Sequence, residues 1–242
     1  MCVGIGSLKN PLRLKVIMFI SLSMNDYQAE QLDALRMVRQ VLNALPDAEI
    51  SALKAEIADY REFRSQVGGV LDVHFKNICT EKCFQSRLSA CCSKDGIIAF
   101  FGDVAVNALV SDDGDLDRMA AAIQNPASPV KCIFLAEGGC LWRIRPVVCT
   151  FFLCDEAENR AFGDNPEAAA QWATLKEIKK HFTWPDKPVL FERLEIFFLT
   201  KGCRSPLMYL HFSPGLSRIR QNRKDLLSNR IANLDIKNQS NG

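Results

Sequence analysis

The chain has 242 residues, 48% of them apolar and 24% charged, and a formal net charge of +2. That length buries a core without covalent staples, and the composition excludes a disordered or collagen-like chain. So small a net charge gives no global drive toward nucleic acid or an anionic membrane, and neither partner is expected.

In chain order, Lys9, Arg13 and Lys15 precede a short apolar run at 16–20. A bilayer span needs about 20 apolar residues, so the run does not cross a membrane. It resembles a weak signal peptide, with Ser21 and Ser23 as a poor cleavage site. The preferred reading starts translation at Met24, leaves residues 1–26 as an extension, and places the protein in the cytoplasm with its thiols reduced.

Leu32, Leu35, Val38, Leu42 and Leu45 recur at three- and four-residue steps, which predicts a helix over 27–45. Pro46 ends it, and Asp47 is expected to cap a second helix with Ile50, Leu53, Ile57 and Tyr60 on one face. Gly68-Gly69 is expected to break that helix, closing a helical hairpin over 27–68. Its apolar stripes fit plain core packing better than a separate cover or dimer surface.

The cysteine region runs over 69–160. Cys79 and Cys83 share one face if helical. The run Ile97, Ile98, Ala99, Phe100 and Phe101 after Gly96 suits a buried strand, and residues 103–110 a short helix opened by Asp103. Asp112, Asp113, Asp115 and Asp117 lack the distal glutamate of a calcium loop, so a solvated loop and a helix cap for 116–124 are preferred. Cys132 to Leu135 and Cys140 to Trp142 flank Gly138-Gly139 and predict a small hairpin with a glycine turn. Arg145-Pro146 then opens a turn carrying Cys149 and Cys154.

Residues 161–235 form a C-terminal helical region. Asn165-Pro166 opens a helix with Trp172, Leu175, Ile178 and Phe182 on one face, and 188–200 is an apolar helix or strand, of which helix is preferred. A last helix carries Arg218, Arg220, Arg223, Lys224 and Arg230; without interleaved aromatics it reads as a solvated face. Residues 236–242 are a polar tail. The expected fold is α+β and mostly α, with helices around a small cysteine-rich core.

Chemistry concentrates in the cysteines. Eight of ten lie between 79 and 154: Cys79, Cys83, Cys91, Cys92, Cys132, Cys140, Cys149 and Cys154. An ordinary core uses a few scattered copies. Two tight groups of soft sulfur donors point to zinc, or to iron in an iron–sulfur cluster. Adjacent side chains such as Cys91 and Cys92 diverge on regular backbone, so one metal takes both only if the chain bends there. Splitting them between two centres, or placing them around one polynuclear site, is the easier solution. Disulfides are the competing use, in an exported module. Cys2 and Cys203 lie outside the group and are read as bystanders. His74, His181 and His211 are isolated, and no phosphate loop, serine elbow or paired-carboxylate motif appears.

Cys132-Ile133-Phe134-Leu135, Gly139-Cys140, Arg145-Pro146, Cys149, Phe152 and Cys154 resemble the YkgJ-like cysteine-cluster family. A cysteine pair and a double cysteine, here Cys79, Cys83, Cys91 and Cys92, and Asp103 after them, fit the same pattern, although the family spaces its first cysteines more tightly. The resemblance covers roughly 75–155 and implies chelation of zinc or iron. A flagellin lysine methylation enzyme carries a similar cluster, so an iron–sulfur-dependent enzyme is the alternative expectation.

Overall fold

The computed structural model describes residues 24–89, 91–92, 99–183 and 189–208. The expectations for residues 1–23, for the last basic helix and for the polar tail lie outside these. The architecture is mostly helical with one two-stranded hairpin, as the patterning implies.

Helix α1 (Asp26–Ala44) is closed at its start by a capping box, in which the Asn25 side chain accepts from Gln28 N at 2.9 Å and the Gln28 side chain accepts from Asn25 N at 3.1 Å. Helix α2 (Asp47–Glu56) has Pro46 at its N-cap and no side-chain cap. Asp47 therefore acts in the first turn, where a carboxylate complements the helix dipole, and not as the cap. Helix α3 (Ala58–His74) begins after a break at Ile57 and runs straight through Gly68 and Gly69.

The expected glycine break is thus overturned. Two glycines inside a helix cost about 1 kcal/mol each against alanine. Tyr60, Phe63, Val67, Val70 and Leu71 are buried along the same helix, and each contributes about 1.5–3 kcal/mol. Tertiary packing outweighs the local preference. Gly69 is exposed and has nothing within 4 Å of a built Cβ. Gly69→Ala is therefore expected to raise the melting temperature by about 2–4 °C in thermal unfolding.

The core is organised around α4 (Phe101–Val110). Every residue from Phe101 to Leu109 is buried, which marks a helix with no solvent face. The expected strand is corrected at its described end: Ala99 and Phe100 are not in a sheet, and Phe101 already belongs to α4. An apolar run of this length reads equally as buried strand or buried helix. Helix α1 packs on α4 and on α5 (Asp113–Gln124), and α9 (Leu190–Thr200) packs on α4 as well. A Cβ on Gly102 would lie 2.2 Å from the Phe191 ring, so glycine is required where α9 comes close.

The aspartate-rich stretch works as a helix start. Asp112 caps α5 by accepting from Asp115 N at 2.7 Å, and Asp113 and Asp117 pair with Arg39 of α1. The hairpin pairs β1 (Leu135–Ala136) with β2 (Gly139–Cys140), and Gly139 takes φ +112° as its turn requires. Helix α6 (Val147–Phe151) follows, then α7 (Asp155–Phe162) and α8 (Pro166–Thr183). Asn165 caps α8 by accepting from Ala168 N at 3.0 Å. Helix α7 lies in the cysteine region where no helix is expected, because it buries only Ala157 and Ala161, too small to stand out as a stripe.

Aromatic rings tie these helices together. Phe63 stacks between Phe182 at 5.2 Å and Phe151 at 6.1 Å, and Phe151 stacks on Trp172 at 4.9 Å. Phe151 belongs to α6, so this pile anchors the helix that carries Cys149. Among the described residues, no helix is long and apolar enough to cross a membrane.

Candidate metal centre

The first cysteine segment leaves α3 through a π-helical stretch, Asn77–Phe84, not an α-helix. Cys79 and Cys83 both sit on it. Its wider turn ends with Gln85 N donating to Thr80 O at 2.9 Å. The chain then doubles back through Arg87 at φ 62° and Ser89 at φ 38°. Non-glycine residues rarely adopt this left-handed conformation, and surrounding bonds must hold it. Leu88 N and Ser89 N both donate to Cys83 O, at 3.0 and 3.3 Å, and Cys92 N donates to Ser89 O at 3.0 Å. These bonds draw Cys83 and Cys92 toward one another along the chain.

The second segment is hydrogen-bonded directly to the first. Cys132 N donates to Cys92 O at 2.9 Å, and the Lys131 ammonium donates to Ser89 O at 3.3 Å and to Leu88 O. Within the second segment, Phe134 N donates to the Cys132 sulfur at 3.4 Å and Leu135 N to Cys132 O at 3.0 Å. Leu135 pairs with Cys140 across the hairpin. The hairpin therefore sets the spacing between Cys132 and Cys140.

Two buried polar side chains of α4 hold the stretch leading to Cys149. Asp103 accepts from Phe100 N at 2.9 Å through one oxygen and from Val147 N at 3.0 Å through the other. One turn later, Asn107 Oδ1 accepts from Arg143 N at 2.8 Å and Ile144 N at 3.2 Å. Backbone donors turned toward the core need such partners. This clamp fixes residues 143–147 against the central helix. Burial pushes the Asp103 carboxyl up to about 6, against the lowering effect of its two backbone donors and of Arg64.

The thiols influence one another in two groups. Burial raises the Cys79 thiol first; Cys91, Cys154 and Cys83 raise it further, and Arg145 lowers it. Burial likewise pushes Cys132 up to about 12, with Phe134 N lowering it and Cys140 and Cys149 adding to the rise. Cys140 is raised by burial and lowered by Trp142 N and Arg145, although the residue as a whole is exposed. Cys91 and Cys92 join the groups. Their side chains share a hydrogen bond, which raises Cys91 and lowers Cys92, and Cys92 also feels Cys132, Cys140 and Cys149. The tyrosine at the start of α1 borders the second group: burial, Cys132, Cys149 and Glu30 all raise Tyr27.

The expected divergence of Cys91 and Cys92 is corrected here. The chain turns at Cys91 and bends at Cys92, so the adjacent thiols meet. All nine described cysteines are free thiols. Among the described residues, no group of three or more His, Cys, Asp or Glu side chains stands ready-made around a metal ion. His74 ends α3 half-buried, and His181 is exposed on α8; His211 lies outside the described residues. Cys203 packs half-buried against the hydrophobic core.

Sequence reasoning missed Asn107, Arg64 and Tyr27. Two polar residues four apart in the apolar helix Phe101–Val110 were the readable signal for the clamp. Nothing local marks Tyr27 or Arg64. No family model, curated protein or solved structure matches this chain.

Proposed function

We propose that this is a metal-binding protein holding zinc or iron in two adjoining thiolate centres. One set is Cys79, Cys83, Cys91 and Cys154; the other is Cys92, Cys132, Cys140 and Cys149. The observation that carries the reading is the 2.9 Å bond from Cys132 N to Cys92 O, which brings segments forty residues apart into register. The mutual influence of the thiols supports the division into fours. Four thiolates suit a tetrahedral zinc or one iron–sulfur cluster.

The donor chemistry fits such a cation. Buried thiols that raise one another's pKa resist ionising together, as at Cys79 and Cys132. A bound divalent ion reverses that cost, because it replaces the protons and neutralises the clustered charge. Arg145 supplies part of the same compensation at Cys79, Cys91 and Cys140. The resemblance of the cysteine pattern to the YkgJ-like family points the same way.

Elemental analysis of anaerobically purified protein, with sulfide assayed in parallel, tests the reading. Two zinc ions per colourless chain, or iron with matching sulfide in a brown one, is the expected result. Metal-free protein whose thiols stay blocked until a reductant is added would favour a disulfide-linked module and end the proposal.

A further inference from the structure

A cleft of about 580 Å³ lies between α3 and the stretch 143–150. Its polar lining is Arg61, Arg64, Ser65, Arg143, Arg145 and Thr150, with Glu62 as the single acid. Four guanidinium groups around one carboxylate is an unbalanced arrangement for a chain whose net charge is only +2. Like charges gathered in a concavity repel one another and raise the local concentration of anions. The volume is that of a small-molecule site.

The cleft is built on fixed parts. Arg64 Nη1 donates to the Tyr60 hydroxyl at 2.9 Å, and Nη2 donates to Thr150 Oγ1, which itself donates to Pro146 O at 3.1 Å. The Arg64 Nε is buried and has no hydrogen-bond partner among the described residues. A buried donor left unpaired costs about 1–3 kcal/mol. The backbone of Arg143 is pinned by Asn107, while its side chain makes only a loose ion pair with Asp115 at 3.9 Å. Gly68 and Leu71 of α3 and Ile144 opposite supply a small apolar lining.

We propose that this cleft binds a small molecule bearing a carboxylate or a phosphate, gripped by Arg61, Arg64 and Arg143. The planar guanidinium fork matches both oxyanions with paired hydrogen bonds. Arg145 is shared with the thiols and borders both sites. The inference stands on the cleft and its arginines and does not require the metal reading.

Thermal unfolding of the full chain is the test, in inorganic phosphate and in succinate, each against chloride at equal ionic strength. At about 10 mM anion the melting temperature is expected to rise by about 2–4 °C beyond chloride. Arg61 and Arg143 are exposed, so the double variant Arg61→Gln, Arg143→Gln is expected to fold, with circular dichroism as the check, and to lose at least half of that rise. A rise with phosphate alone assigns a phosphate ester; a rise with succinate alone assigns a carboxylate. No rise with either anion, or the same rise in the double variant, overturns the proposal. The readout is a melting temperature and not metal content, so its failure is separable from failure of the metal reading.

Discussion

Cys92→Ser is expected to lower bound metal and to destabilise the chain by about 4 kcal/mol or more, because loss of a structural metal is among the few changes of that size. Cys92 sits where the two segments join: its carbonyl accepts from Cys132 N, and its thiol lies under the influence of Cys91, Cys132, Cys140 and Cys149. A serine hydroxyl keeps the shape but is a poor ligand for a soft metal. The backbone bond to Cys132 survives the substitution, so packing alone predicts a small effect. Cys203→Ser is the control, since Cys203 is half-buried at the edge of the core and outside both sets. Metal per chain and unfolding with and without a chelator give the measurement. Wild type and Cys92→Ser should converge once metal is stripped. Equal metal content and equal stability in the Cys92 and Cys203 variants would sink the two-centre reading.

Asp103 is expected to make stability fall as pH rises from about 4 to about 6. Burial lifts its folded carboxyl from 3.8 to about 6. The folded state then holds the proton more tightly than the unfolded state. Its contribution is therefore complete below the unfolded value and is lost as pH climbs through the folded one. A shift of about two units corresponds to about 3 kcal/mol. Asp103→Asn removes the titration, so the stability difference between wild type and variant should shrink by about that amount between pH 4 and pH 7. Denaturant unfolding at four pH values between these limits decides it, and parallel profiles for the two proteins would refute the assignment. Asp103→Ala leaves Phe100 N and Val147 N without their acceptor. At pH 5 that variant is expected to lose about 2–4 kcal/mol.

The same residue illustrates how physical causes at different ranges combine in this chain. Helices α1 and α8 follow from apolar periodicity, a capping asparagine and, for α1, a following proline, all of them local signals. The hairpin follows from Gly138-Gly139 between two apolar runs. The concentration of sulfur donors is visible as spacing alone. These features need no knowledge of what lies across the core, because neighbouring residues impose them.

Other features depend on partners far along the chain. Helix α3 continues through Gly68-Gly69 because Tyr60 and Phe63 pack against rings of α9 and α8, which no window around the glycines contains. Cys91 and Cys92 meet because left-handed residues at Arg87 and Ser89 turn the backbone before them, and Cys132 then locks the turn from forty residues away. Asp103 and Asn107 become a clamp only when residues 143–147 arrive against α4. The arginine cleft likewise joins α3 to a loop some eighty residues later. Local chemistry by itself determined helices α1 and α8, the hairpin and the sulfur inventory. Tertiary structure decided which sulfurs are neighbours and where the positive charge collects, because burial and unpaired backbone donors are settled only when distant segments close over one another.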